Sequence, residues 1–361
     1  MDDSATALTR VVSLVVDDDG RIYTSHPQDA AILVHDAEGK RVGRWGRRGE
    51  GPGEFGSLGG IILVKDTLWA FDYEHYRFGA FAPDGRLLRT LTVPIDLGGP
   101  DMARSPPRPY GMLSDGRIIG SPPAWSHEVA QGTITESPVL LMDSTGAAGD
   151  TLYSRPTSVW AVQEPRSSRG FGSYRQQPFD DTDLYVTSPV APEYVMVDRL
   201  VGEEHAAAPT FRVARISFDG DTLFERTYPY EPVPIDPALP DSLVDDFAAG
   251  FNQAGFRSAP TPARAAELAR GNLHVPAHFP PVTRAVVGRD GTIWLRREGS
   301  DPQSAEWLVL DPGGEPIGRV TLPARTTVAV AERGRFWGWE LDDLDVPYIV
   351  RYAVGGATPE E

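Results

Sequence analysis

Seven residues of types that bind metals, anions or protons lie next to short apolar runs of the sequence. Histidine and carboxylate side chains are the ligands that zinc or calcium would use, and arginine pairs readily with anions. The candidate ligand-binding residues are His26, Asp72, His75, Arg77, His127, Arg296 and Glu340. The first candidates for metal ligands or general bases are His26, Asp72, His75 and Glu340.

Other catalytic arrangements have little support. The chain has no cysteine, which excludes thiolate ligands, cysteine nucleophiles and disulfides. It has no Gly-x-Ser-x-Gly motif, so a serine hydrolase of that kind is not expected. The one local histidine spacing, His274 and His278, spans Pro276 and does not predict a helical metal site. The cofactor is therefore unknown, with a divalent metal such as calcium or zinc as the candidate.

The 361-residue chain is acidic, with 51 Asp and Glu against 34 Lys and Arg and a net charge of −17. Nucleic acids require a positive field, so we expect no nucleic-acid partner. No apolar run is long enough for a transmembrane segment, and the sequence begins MDDSATALTR, without an apolar signal segment. The expected partners are a small molecule, a peptide or a protein ligand, and we expect a monomer.

The elements that position the candidates come from a short unit that recurs six times. Each copy combines apolar runs with tight turns, such as Asp19 and Gly20 in the first copy and Asp290 and Gly291 in the fifth. An Asp-Gly pair between two apolar runs predicts a hairpin, because Gly adopts positive φ without steric cost. Six units of four strands predict an all-β fold, a six-bladed β-propeller that spans residues 1–361 as one domain. Two separate β-sandwiches are the alternative.

The last copy lacks one strand in the sequence pattern. Residues 5–9, just before the first apolar run, could supply this strand. Pairing them into the last blade would close the ring with backbone hydrogen bonds and remove an exposed edge. We also expect tryptophans such as Trp294 and Trp337 to fill the gaps between blades.

Residues 231–280 break the pattern of strands and turns. Asp241 or Ser242 is expected to cap a helix that carries Phe247 and Phe251 on one face. Thr261 is expected to cap a second helix. We therefore predict a short helical insertion at about residues 236–272, before the fifth blade. It would form either a lid over the axial opening or a decoration that buries its phenylalanines on a blade.

One stretch carries a family resemblance. Residues 45–55, WGRRGEGPGEF, resemble the glycine-rich link between blades of NHL-repeat propellers, and residues 68–72 and 77–86 continue the pattern. The resemblance is to six-bladed propeller proteins of bacteria, which are often exported or lipid-anchored. It implies an extracytoplasmic location, periplasmic or lipid-anchored. Lactonase-like and amidating-lyase-like propellers use axial metals, so the resemblance also makes an axial metal worth testing.

We predict a binding or interaction propeller whose ligand site lies at the axial face. Connections between the second and third strands of each blade converge there, and His26 and His75 are expected to lie in such loops. The alternative is a metal-dependent hydrolase or lyase, lactonase-like or amidating-lyase-like, with an axial active site. The sequence leaves open whether the protein is an enzyme. For Arg77 the alternative is a structural ion pair.

Overall fold

Strands dominate the computed structural model, which describes residues 8–93, 108–121, 135–163, 172–199, 209–253, 260–299 and 301–355. Across these residues, strands form six sheets of three or four strands and one separate hairpin. Neighbouring strands pair antiparallel, and each sheet follows the order of the chain. The architecture is a six-bladed β-propeller, as the repeated turns predict.

The first three blades cover the N-terminal part of the chain. Blade 1 contains β1 (Ser13–Val16), β2 (Ile22–His26), a 3-10 turn (Pro27–Asp29), β3 (Ala31–His35) and β4 (Arg41–Trp45). Blade 2 contains β5 (Leu58–Val64), β6 (Thr67–Asp72), β7 (Arg77–Phe81) and β8 (Leu87–Thr92). Blade 3 contains β9 (Arg108–Met112), β10 (Ile118–Ser121), β11 (Glu136–Met142) and β12 (Ala148–Pro156).

The remaining elements include a hairpin and two helices between blades. A hairpin of β13 (Val159–Gln163) and β14 (Gly172–Gln176) precedes blade 4, which contains β15 (Leu184–Thr187), β16 (Glu193–Asp198), β17 (Thr210–Ser217) and β18 (Thr222–Pro229). Helices α1 (Ala238–Gln253) and α2 (Pro262–Gly271) follow. Blade 5 contains β19 (Arg284–Val287), β20 (Ile293–Glu298), β21 (Ser304–Leu310) and β22 (Pro316–Pro323), and blade 6 contains β23 (Thr327–Glu332), β24 (Arg335–Leu341) and β25 (Pro347–Ala353).

The repeated turns have the geometry that the sequence predicts. Gly20 has a φ of 83° and its N–H donates to the carbonyl of Asp17, three residues earlier. Gly291 has a φ of 80° and donates to Gly288 in the same way. This left-handed conformation favours glycine, because a Cβ atom would be strained there. The Asp-Gly pairs therefore close tight turns between neighbouring antiparallel strands.

The hydrophobic core lies mainly between blades. Tyr23 and Ile32 of blade 1 pack with Phe55 and Ile61, just before and within blade 2. Similar clusters join blades 2 and 3, blades 4 and 5, and blades 5 and 6. Trp294 is buried between blades 5 and 6, which confirms its predicted role. Burying apolar area between successive sheets is what holds the ring together.

Side-chain packing joins the last blade to the first. Trp337 of β24 is buried against Leu14 and Val16 of β1, as predicted for this tryptophan. Within the described residues blade 6 has three strands, and Leu8 and Thr9 do not form a fourth. The rest of the predicted closing strand, residues 5–7, lies outside the described residues. Thr9 instead binds blade 1, where its hydroxyl donates to Asp29 at 2.7 Å.

The predicted helical insertion is present before the fifth blade. Thr261 caps α2, accepting the N–H of Arg264 at 3.3 Å, as predicted. The predicted start of α1 at Asp241 or Ser242 is wrong, because the helix already begins at Ala238. The carboxylate of Asp236 accepts the N–H of Ala238 at 2.9 Å and so stabilises this earlier start.

The helices pack on the β13–β14 hairpin. Phe247 of α1 is buried against Trp160 of β13, whose indole N–H donates to the carbonyl of Ala269 in α2 at 2.7 Å. Phe247 is therefore buried on this hairpin and not on a blade, where the decoration alternative placed it. The side chain of Phe251 lies outside the described residues. Neither described helix is long and apolar enough to cross a membrane.

Candidate functional site

His26 lies in a strand and not in a loop, so that expectation was wrong. It is the last residue of β2, pairs with Ala31 and is fully buried. Its Nδ1 lies 3.1 Å from the hydroxyl of Thr9, and its Nε2 lies 2.8 Å from that of Thr24. Burial lowers its pKa to about 4, since a charged imidazole would be poorly solvated there. At neutral pH His26 is therefore an uncharged residue with both nitrogens engaged.

Asp72 and His75 are brought together at the end of β6. Asp72 is 1% exposed and accepts the N–H groups of Gly56 and Ser57 at 3.1 and 2.9 Å. His75 lies in the following turn, as expected, with its Nδ1 2.7 Å from the Asp72 carboxylate. Burial acts to raise the pKa of Asp72, but hydrogen bonds from Ser57, His75 and Gly56 outweigh it and hold the pKa below its ordinary value.

Arg77 holds the glycine-rich link in place. Its guanidinium donates to the carbonyls of Glu50, Gly51 and Glu54 at 2.8 to 3.2 Å. Its Nε also lies 3.5 Å from the carboxylate of Asp72. These contacts agree with the alternative expectation for Arg77, a structural role that includes an ion pair.

Glu340 and Arg296 also bind within their own blades. Glu340 is buried near the end of β24 and accepts the hydroxyl groups of Thr326, Tyr348 and Tyr352 at 2.6 to 2.9 Å. Burial acts to raise the pKa of Glu340, and these hydrogen bonds lower it to a value below the ordinary one. Arg296 lies within β20, pairs with Glu298 at 2.5 Å and donates to Thr283 at 3.3 Å.

A common arrangement accounts for most of these contacts. In four blades a polar residue at the end of the second strand binds a Thr or Ser just before the inner strand of the same blade. The pairs are Thr9 with His26, Ser57 with Asp72, Thr283 with Glu298, and Thr326 with Glu340. Each contact anchors the chain where it enters a blade. The polar atoms that sequence patterns mark as candidate ligands therefore have partners that stabilise the fold.

The candidates do not assemble into a metal site within the described part of the chain. No group of three His, Asp or Glu residues with metal-binding geometry occurs there. His127 lies outside the described residues. The metal-dependent alternative therefore has no complete ligand set among the residues whose positions are described.

A large cavity runs along the propeller axis. All six inner strands, β1, β5, β9, β15, β19 and β23, contribute to its walls, and its volume is about 980 Å³. It extends to the connections between first and second strands, where Asp18 is fully exposed. The loops between second and third strands, which were predicted to form the ligand site, lie at the opposite ends of the second strands from these connections.

Most charged groups of the axial cavity are paired. Arg289 binds Glu332 at 2.8 Å and lies 3.8 Å from Asp18. Arg335 also binds Glu332. Asp290 accepts the hydroxyl of Thr292 at 2.7 Å. No carboxylate among the described residues pairs with the two remaining cations, Lys65 and Arg155.

A second, smaller cavity of about 270 Å³ lies between blades 3 and 4. Its walls include hydroxyl groups of Ser121 and Thr182 and the carboxyl group of Asp183. Burial, followed by the charge of Asp198, raises the pKa of Asp183. Tyr110, Arg155 and Tyr185 line both cavities, so the two spaces meet at these three side chains.

Tyrosines pack where the cavities meet. The ring of Tyr153 stacks on Tyr185 with centroids 4.7 Å apart, and the rings of Tyr153 and Tyr194 lie 4.4 Å apart. Tyr110 is 43% exposed, yet its free surface faces the cavities, and burial raises its pKa strongly. Burial also raises the pKa of Tyr185 to about 12. At neutral pH the phenols are uncharged and can contact an aromatic or polar ligand.

Sequence reasoning missed the residues at this junction. It placed the chemistry on connections between second and third strands, whereas Tyr110 and Tyr185 lie on the inner strands β9 and β15. Their inner-strand position was a usable signal, because inner strands face the axis of a propeller. Arg155 lies on the outer strand β12 and gave no such signal.

Comparison with known proteins assigns no family to the chain. No family model and no curated protein matches the chain. Among solved structures, the chain is similar to a putative exported protein from Bacteroides fragilis at 11% identity and a TM-score of 0.43, covering 92% of this chain and 80% of that one. It is also similar to the calcium-binding protein regucalcin from Agrobacterium tumefaciens, at 12% identity and a TM-score of 0.41, covering 95% of this chain and 90% of that one. Virginiamycin B lyase from Staphylococcus aureus is similar at 13% identity and a TM-score of 0.33, covering 96% of this chain and 87% of that one. These values assign neither a ligand nor an activity.

Proposed function

We propose that the protein is a binding propeller that takes a small organic molecule in the axial cavity. The observation that carries this proposal is a cavity of about 980 Å³ whose walls include residues from all six inner strands. Sites for small molecules are concave, largely apolar spaces of roughly 300–1,000 Å³ with a few polar groups. The axial cavity has this size, and it combines apolar walls with a larger set of charged groups than such sites usually have.

The distribution of side chains supports an amphiphilic ligand. Apolar wall residues include Leu14, Ile61 and Met112, from three different inner strands. Charged and phenolic groups lie at the ends of the strands and at the junction with the smaller cavity. An apolar body can therefore displace water from the walls while polar substituents bind at the junction.

We further propose that residues 1–361 form one propeller domain of the NHL-repeat-like kind and act outside the cytoplasm. The support is the glycine-rich link at residues 45–55. Its Glu54 carboxylate accepts Arg47 Nε at 2.7 Å and the N–H of Gly51 at 3.0 Å, a compact turn between blades 1 and 2.

A neutral fluorescent molecule tests the binding proposal. N-phenyl-1-naphthylamine, which carries no charge, should bind saturably with one site per chain. Ala329 lines the cavity on β23, so Ala329→Trp should fill part of the space and weaken binding at least tenfold. The matched control is Thr90→Trp, which adds the same bulk at an exposed position of β8 and should leave binding unchanged.

Unsaturable binding, or equal affinity of the Ala329→Trp variant and the wild type, would place the molecule outside the axial cavity. Circular dichroism and thermal melting of both variants would show that each has the wild-type fold.

A further inference from the structure

The axial cavity is locally cationic in an acidic protein. Its lining contains four cationic residues and three carboxylates, although the chain as a whole has a net charge of −17. All three carboxylates have partners: Asp18 and Glu332 bind arginine, and Asp290 binds Thr292. Four cations against three carboxylates leave the lining with a net positive charge, and Arg155 and Lys65 are its two cations without a carboxylate partner among the described residues.

Arg155 has the position of an anion-binding group. It is half-buried at the place where the two cavities meet, beside Tyr110 and Tyr185. Within the described residues no ion pair or hydrogen bond engages its guanidinium. Asp183 lines the same small cavity without pairing with it. A partly desolvated cation with no anion beside it is unfavourable, and a ligand carboxylate would remove that cost.

The chemistry of arginine narrows the class of anion. A guanidinium presents two parallel N–H donors that match a planar carboxylate, and its face stacks on aromatic rings. Tyr110 and Tyr185 supply aromatic surface in the two cavities that Arg155 also lines. An aromatic ring attached to the carboxylate would therefore contact these tyrosines as the carboxylate pairs with Arg155.

Lys65 is the second cation of the axial cavity without a carboxylate partner among the described residues. It lies in the turn between β5 and β6 at the edge of the cavity and has a φ of 53°. Glycine occupies the left-handed position in the comparable turns at Gly20 and Gly291. This conformation is uncommon for a residue other than glycine, and here it turns the chain so that a lysine lines the edge of the cavity.

We propose that the ligand of the axial cavity is an aromatic carboxylate whose carboxylate pairs with Arg155. This inference rests on the proposed function of the cavity. Lys65 adds positive charge at the opening through which the anion enters.

A competition experiment tests the class of ligand. Bound N-phenyl-1-naphthylamine is displaced by 2-naphthoate or by the neutral 2-naphthamide, which have nearly the same shape. Because only 2-naphthoate can form a hydrogen-bonded ion pair with Arg155, it should displace the fluorescent molecule at a concentration roughly tenfold or more below that of 2-naphthamide. Arg155→Met should abolish this preference, and Arg155→Lys should retain part of it. Arg86→Met, which removes one exposed cation from an outer turn, should retain the full preference.

The outcomes separate the two proposals. If the fluorescent molecule binds at the cavity but both competitors are equally effective, the carboxylate inference is wrong and the binding function stands. The inference is also wrong if Arg155→Met keeps the preference. If neither the fluorescent molecule nor 2-naphthoate binds the wild-type protein, the binding function is wrong and the inference is wrong with it. Unchanged binding of N-phenyl-1-naphthylamine shows that Arg155→Met is folded.

Discussion

The Nδ1 atom of His75 lies 2.7 Å from the carboxylate of Asp72, which also accepts the N–H groups of Gly56 and Ser57. This histidine–carboxylate pair resembles a catalytic arrangement in sequence. In the structure it fastens the end of β6 to the link that enters blade 2. In blade 6 the hydroxyl of Thr326 likewise donates to the carboxylate of Glu340 and fastens the end of β24 to the segment that enters the blade. These polar pairs therefore belong to the framework that surrounds the cavity.

Replacing Asp72 should destabilise the propeller. Asp72→Asn removes the charge that holds the N–H groups of Gly56, Ser57 and Glu74 and the ring of His75. We expect a loss of about 1–3 kcal/mol in the free energy of unfolding. Urea unfolding measures this loss. The control is Asp66→Asn, an exposed residue in the turn after β5. Equal stability of the two variants would contradict the structural role of Asp72.

Protonation of Asp72 should also destabilise the propeller. Its pKa is held below the ordinary value of 3.8 in the folded protein. The stability it contributes is thus complete above pH 3.8 and is lost as the pH falls through the lower folded-state pKa. The difference in stability between wild type and Asp72→Asn should shrink over that acidic range.

His26 should make the protein less stable between pH 6.5 and 4. Its pKa falls from 6.5 to about 4 on folding, so the unfolded chain binds a proton in this interval and the native protein does not. Stability is complete above pH 6.5, falls as the pH drops to about 4 and is then constant, with a total change of about 3 kcal/mol.

Two variants check the contribution of His26. Urea unfolding across this pH range should show a smaller pH dependence for His26→Gln than for the wild type. His35, whose pKa is also lowered by burial, keeps its own contribution in that variant. His278→Gln, at an exposed position, should follow the wild type. An identical pH dependence of His26→Gln and the wild type would disprove the assignment.

Gly46 should be irreplaceable in the link after blade 1. It has a φ of 79°, and an added Cβ would lie 2.3 Å from the ring of Phe55. Gly39 has a similar φ of 84° with open space around it. Gly39→Ala should cost about 1 kcal/mol from backbone strain alone, and Gly46→Ala should cost about 1–3 kcal/mol more, because Phe55 must move. Equal midpoints of urea unfolding for the two variants would argue against this packing.

Removing metal ions should leave the fold intact. The carboxylates of Asp72 and Glu340 are engaged by donors of their own blades, so these two contacts do not depend on a metal. Thermal melting with and without EDTA should give the same midpoint. A lower midpoint with EDTA, together with a stoichiometric metal in elemental analysis, would favour the metal-dependent enzyme.

The blades could be predicted from sequence because their signals are local. A turn such as Asp290–Gly291 lies directly between the strands it joins. The partner of Phe247 could not be predicted in this way, since Trp160 lies far away in the chain and belongs to an unpredicted hairpin. The loop assignment of His26 failed because β2 extends to that residue before the chain turns.

The candidate site was harder to predict than the fold. Arg155 lies on the outer strand of blade 3, and only the orientation of this blade against blade 4 brings it to the cavities. Blade orientation depends on packing between sheets, such as that of Tyr153 on Tyr185. A sequence pattern within one blade carries no information about that angle.

The most direct test of the account is a crystal structure of the protein with 2-naphthoate. We expect the naphthalene ring within the axial cavity and the carboxylate within hydrogen-bond distance of the Arg155 guanidinium. A ligand bound at the outer strands, or on the helices α1 and α2 with an empty axial cavity, would contradict it.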